Sequence, residues 1–259
     1  MTRKTWLLQS ILVLLVACLS QPLAGQSAET RRPSIPSLEL YDGETRLTIE
    51  LACARQRAEG VPAYGACLNR HIAALQSSPG IPSLRGYDHA TRLSMELACA
   101  RTRGEGPVAY GACLDRQVAS LERSSGTPSL RGFDNETQFT MELACARRMS
   151  DGPVAYGACL KQHIASLEHS PGLPSLSRFD DDTRFTMELA CARERADGPV
   201  AYGACLSRHI VLLQSSPGIP SLLHLDADTR QIVQLACARE RVEGPVAYGA
   251  CLRKQIEYP

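Results

Sequence analysis

The chain has 259 residues, 44% of them hydrophobic and 5% aromatic, with 28 basic against 27 acidic side chains and a formal net charge of +1. So even a balance provides no electrostatic footprint for nucleic acid, and nucleic-acid binding is set aside. Eleven cysteines point instead to an oxidising compartment and a disulfide frame.

At the N-terminus, Arg3 and Lys4 precede an apolar run from Trp6 to Leu19 that only Gln9 and Ser10 interrupt. This is the layout of a secretory signal, here residues 1–17, and the run is too short to read first as a membrane span. Leu15-Val16-Ala17-Cys18 resembles the lipobox of bacterial lipoproteins. That resemblance implies acylation of Cys18 and anchorage in the periplasm or at the outer membrane. A plain secretory signal cut near Ser20 or Ala24 is the alternative; both readings export the protein. Loss of Arg3 and Lys4 leaves 26 basic against 27 acidic residues, and the single tryptophan, Trp6, leaves with them. Membrane contact is expected through the lipid anchor alone. Residues 18–35, rich in Gln, Ser, Pro and Ala, read as a flexible tether.

From there the chain repeats itself. Gly-Pro-Val-Ala-Tyr-Gly-Ala-Cys-Leu stands at 106–114, 152–160, 198–206 and 244–252, and at 60–68 with Val and Pro exchanged. Fourteen residues before each of its cysteines comes another, inside Leu-Ala-Cys-Ala-Arg. The pairs are Cys53 with Cys67, Cys99 with Cys113, Cys145 with Cys159, Cys191 with Cys205 and Cys237 with Cys251, at a period of 46. Such self-similarity overrides any domain count based on length. The units are 36–81, 82–127, 128–173, 174–219 and a truncated 220–259.

The second unit serves as the pattern. Asp88 is an N-cap for a first helix over 89–103, with Leu93, Leu97 and Ala100 on one stripe and Met95 and Cys99 beside it. Gly106 and Pro107 end that helix and start a second, over 107–122, with Tyr110, Leu114, Val118 and Leu121 at helical spacing. Cys99 and Cys113 lie equally far from Gly106, so their sulfurs fall at one height in an antiparallel pair. Closing that short loop contributes roughly 3 kcal/mol in the chain-entropy picture. A hairpin this small buries too little to fold securely without a staple. The fold class is therefore all-α: five tandem disulfide-closed helical hairpins, stacked as a short α-solenoid or linked as beads. The unit length lies in the range of HEAT-type repeats, and apolar linker residues such as Ile81 and Leu84 favour a curved, packed array.

Candidate sites follow from the repeat. His71, His163 and His209 stand four residues after a cysteine, giving Cys₂His sets that could hold a soft metal. Gln117 and Gln255 replace histidine in the other two units, so the cysteines are read as disulfides and no metal or cofactor is expected. His89, His169 and His224 occur in unmatched places, and five near-copies leave little room for one asymmetric catalytic pocket; no enzyme is expected. Arg92 with Glu96 and Arg184 with Glu188 suit surface pairs. Tyr64, Tyr110, Tyr156, Tyr202 and Tyr248 are placed in the hairpin cores. Gly65, Gly111, Gly157, Gly203 and Gly249 sit inside the second helices, where close approach of another segment compensates their low helix propensity. Arg55, Arg101, Arg147, Arg193 and Arg239 form a repeated candidate binding row for an acidic partner, or simply charge a helix C-terminus. The functional expectation is a non-enzymatic, envelope-anchored scaffold binding an unknown protein partner. The alternatives are a periplasmic metal or redox buffer, and a disulfide-rich inhibitor or ligand-binding module using the variable stretches 56–59, 148–151 and 177–182.

Overall fold

A computed structural model describes residues 35–257, all of whose regular elements are helical. Residues 1–34, and with them Cys18, the signal segment and nearly all of the tether, lie outside the described residues.

Each repeat has three helices rather than two. In the first, α1 (Gly43–Ala52), α2 (Ala54–Ala58) and α3 (Val61–Gln76) follow one another. In the second they are α4 (His89–Ala98), α5 (Ala100–Arg103) and α6 (Pro107–Glu122). The third has α7 (Asn135–Cys145), a 3₁₀ helix over Ala146–Asp151, and α8 (Pro153–Leu167). The fourth has α9 (Asp181–Ala190), α10 (Ala192–Ala196) and α11 (Pro199–Gln214). The fifth has α12 (Ala227–Ala236), α13 (Ala238–Glu243) and α14 (Pro245–Glu257). The expected continuous helix over 89–103 is thus broken at Cys99, whose φ of −101° and ψ of 6° turn the chain. The turn sends a short connecting helix towards the preceding repeat.

Capping fixes the ends. Asp88 accepts from the Thr91 amide at 3.0 Å and the Thr91 hydroxyl at 2.6 Å, and Asp42, Asp134, Asp180 and Asp226 repeat the arrangement. These bonds satisfy orphan donors of the first turn. The hydroxyl and amide of Thr137 accordingly hold the Asp134 carboxyl below its ordinary value. Gly106 starts α6 with φ 111° and ψ 172°, a backbone state essentially open only to glycine.

All five disulfides form as spaced, each with Cα atoms 5.8 Å apart. Each repeat has its own core around its staple; in the second it comprises Met95, Cys99, Tyr110, Cys113, Leu114 and Leu121, with Ile81 and Leu84 against it. The buried stripe of the first helix is therefore Met95–Cys99. The Leu93–Leu97 stripe faces outwards, with Leu97 43% exposed.

The repeats stack. At every junction the connecting helix of one repeat packs on the first helix of the repeat before it, and the long final helices pack side by side. Thr48, Ser94, Thr140 and Thr186 are 0% exposed as a result. Polar side chains tolerate that position because they are bonded: Thr48, Thr140 and Thr186 donate to the carbonyls of Glu44, Glu136 and Asp182, and Ser94 donates to Met149 O at 3.1 Å.

Candidate functional site

The most specific side-chain chemistry lies at the junctions. Arg195, on α10, pairs with Glu136 at the start of α7, fifty-nine residues earlier. Its guanidinium lies 5.0 Å from the ring centre of Phe139 in that preceding repeat and 5.2 Å from Tyr202 in its own. Arg241 repeats the arrangement with Asp182, Phe185 and Tyr248, and Arg103 does so with Glu44 and Tyr110. Each arginine thus combines an ion pair with cation–π contacts, for which a planar guanidinium is suited. Burial pushes the hydroxyls of Tyr110, Tyr156 and Tyr202 up to about 12, so these rings stay neutral. The tyrosines are core residues, as expected: Tyr110, Tyr156, Tyr202 and Tyr248 are buried and Tyr64 half-buried.

One junction departs from this. Between the second and third repeats the acid's place is taken by Ala90 and the arginine's by Met149, and the two belong to one apolar cluster. Both partners have changed together. Tyr156 OH is buried without a hydrogen-bond partner, as is Tyr248 OH at a junction that keeps its arginine.

The histidines serve the same joints. His71 lies over Gly106 of the next repeat so closely that a Cβ there would overlap its ring, and His163 and His209 do the same to Gly198 and Gly244. Gln117 takes that role at Gly152. Burial is the main cause that holds all three imidazoles below their ordinary value. The predicted Cys₂His sets are brought together, Cys53, Cys67 and His71 among them, with ligand atoms within 4.8 Å of one another. Their sulfurs, however, are already bonded to each other as disulfides. The in-helix glycines admit the linker: a Cβ at Gly203 would lie 2.8 Å from Gly172 O, and one at Gly157 3.3 Å from Gly126 O.

Arg55, Arg101, Arg147, Arg193 and Arg239 are all exposed, one per repeat. Among the described residues only Arg55 has an ion-pair partner, Glu59 at 3.9 Å. Four residues earlier stand leucines of the outward stripe: Leu51, Leu143 and Leu235 are 47%, 39% and 66% exposed, and Leu189 is half-buried. The expected pairs Arg92–Glu96 and Arg184–Glu188 do not form; Arg184 pairs with Asp181 instead. The variable stretches 148–151 and 177–182 contribute the junction residues Met149 and Asp182. Sequence reasoning missed the junction pairs; joint replacement of two positions across one repeat boundary was the available signal.

Five disulfides place the protein in an oxidising environment, and no helix among the described residues is long and apolar enough to cross a membrane. No family model, no curated protein and no solved structure matches the chain.

Proposed function

We propose that this protein is a non-enzymatic interaction scaffold of the bacterial envelope, held there by lipid on Cys18. Its partner is a protein with an acidic, partly apolar surface that recurs along its length. The observation that supports this most is the row of exposed arginines, one per stacked repeat, accompanied by outward leucines. Exposed apolar residues in a patterned row mark protein contacts rather than cores. Five modest sites on one rigid support bind a repetitive partner by avidity, without any single strong pocket.

The test is retention of envelope proteins on the immobilised chain while Arg55, Arg101, Arg147, Arg193 and Arg239 are changed to Glu one after another. Retention that declines step by step, and weakens with added salt, supports the scaffold. Retention unchanged by all five substitutions removes it. A second reading, metal or redox buffering, is favoured only by the convergence of the three Cys₂His sets. It predicts zinc uptake after reduction, lowered in a His163→Gln variant.

A further inference from the structure

The four internal junctions define a pair of complementary faces. The forward face carries an acid or Ala90, a buried Thr or Ser four residues later in each of the first four units, and a His or Gln on the final helix. The backward face carries Arg or Met149 on the connecting element, a positive-φ glycine and a tyrosine. Every repeat has both faces, and at each junction one covers the other.

At the two ends the described residues leave these faces uncovered. On the fifth repeat, Ile232 is 67% exposed where Thr48, Ser94, Thr140 and Thr186 are 0%, and Thr229 is exposed where its four counterparts are buried. Asp228, in the place of the paired acids Glu44, Glu136 and Asp182, is exposed too, and Gln255 holds the place of Gln117. A solenoid end is ordinarily polar; here an isoleucine replaces the hydroxyl residue. On the first repeat, Arg57 is exposed and has no ion pair among the described residues, whereas Arg103, Arg195 and Arg241 are half-buried. A Cβ at Gly60, φ 106°, would meet nothing nearer than Pro62 Cδ of its own turn at 3.9 Å, while every later counterpart is covered by His or Gln. Val61 is 47% exposed where Pro107, Pro153, Pro199 and Pro245 are buried.

We infer that these two faces bind each other between copies: the fifth repeat of one chain receives the first repeat of the next, Asp228 against Arg57 and Gln255 over Gly60. The internal junctions supply the template, and opposite charges meet at the new one. The contact is head-to-tail, and it repeats without closing on itself unless the rotation happens to complete a ring. It lacks the peptide link that holds internal repeats together, so it bears the full entropy of association and depends on concentration.

Sedimentation of the purified chain, disulfides intact, from low micromolar to near-millimolar concentration tests this. The wild-type chain is expected to grow past the dimer as concentration rises. Asp228→Arg and Arg57→Asp each bring like charges together at the contact and are expected to weaken association by about tenfold or more. Both residues are exposed, and an unchanged helical signal and melting point for each variant would show that the fold is intact. Mixing the D228R and R57D chains pairs opposite charges at every contact of an alternating assembly and is expected to restore growth. A chain that stays monomeric throughout overturns the inference and leaves the end faces to another occupant. A mass that stops at the dimer overturns it in favour of a two-fold contact, and association indifferent to both substitutions shows that another surface is responsible.

Discussion

The junction between the second and third repeats and the junction between the third and fourth place the same elements together, a first helix against the next connecting helix. The connector is a 3₁₀ helix in the former and an α-helix in the latter, and the chemistry differs. In one, Ala90 meets Met149, Gln117 covers Gly152, and Tyr156 OH goes without a partner. In the other, Glu136 meets Arg195, His163 covers Gly198, and Glu136 also lies beside the Tyr202 hydroxyl. A lone Glu at 90 would set a carboxylate against an apolar methionine, and a lone Met at 195 would strand Glu136. Exchange of both members keeps the joint complementary. Packing of the first helix on the next connecting element is what the junctions share; the polar clasp is one of two ways to finish it.

The largest expected effect tests what both junctions rest on. Replacing Cys145 and Cys159 by Ala should cost about 2–4 kcal/mol, because the third repeat then loses its staple. Since that repeat serves both junctions, hydrogen exchange should accelerate in the first helix of the second repeat and in the connecting helix of the fourth. Effects confined to residues 128–173 would mean that the repeats behave as separate beads.

A smaller effect separates the two junctions by space. Gly203→Ala would drive a Cβ to 2.8 Å from a backbone oxygen that cannot swing away, whereas Gly157→Ala needs its neighbours to give only a few tenths of an ångström from 3.3 Å. Overpacking should make the first destabilising by about 1–3 kcal/mol. The second should lie near neutral, as helix propensity returns up to about 1 kcal/mol. Equal melting shifts for the two would show that the linker does not pack as described.

Acidification sharpens the same contrast. Burial holds the folded imidazole of His163 below its unfolded value, so the unfolded chain takes up the proton first. Its contribution is full above about pH 6.5 and declines as pH falls below that value. The same holds for His71 and His209, at the first and last internal junctions, while Gln117 does not titrate. A pH series should therefore show less acid sensitivity in His163→Gln than in wild type. An unaltered profile would place the histidines outside the joints. Smallest of all, Tyr156→Phe should be neutral or slightly stabilising, since it removes a hydroxyl that already lacks a partner, as thermal melting can check.

Much of a single unit was legible from its letters. The span of α6, the Asp caps, the glycine before each final helix and the cysteine pairing all follow from local rules, and the structure keeps them. The first helix shows where local rules stop. Leu93–Leu97 and Met95–Cys99 are both spaced by four, so periodicity alone cannot say which stripe faces inwards. Met95 and Cys99 are turned inwards by the repeat's own staple and core, and the last repeat keeps Val233 and Cys237 buried with no repeat after it. Only Ser94 owes its burial to the connecting element of the next repeat. The break at Cys99 has no local breaker residue to announce it, and it recurs at Cys53 and Cys237 in the end repeats, so it belongs to the stapled unit rather than to its neighbours. Glu136 and Arg195 are fifty-nine residues apart and fit no helical spacing rule. The disulfides were readable because one loop determines them, whereas the exposed arginine row needed the stack to establish its outward direction.

The claim on which the rest depends is that consecutive repeats are energetically joined through these side chains. Equilibrium urea unfolding of wild type, Glu136→Ala, Arg195→Met and the double variant measures it. The pair is partly exposed, so each single substitution should cost about 1 kcal/mol, and the double variant, which imitates Ala90 with Met149, should cost less than their sum by a similar amount. Strict additivity of the two substitutions would contradict the stacked array.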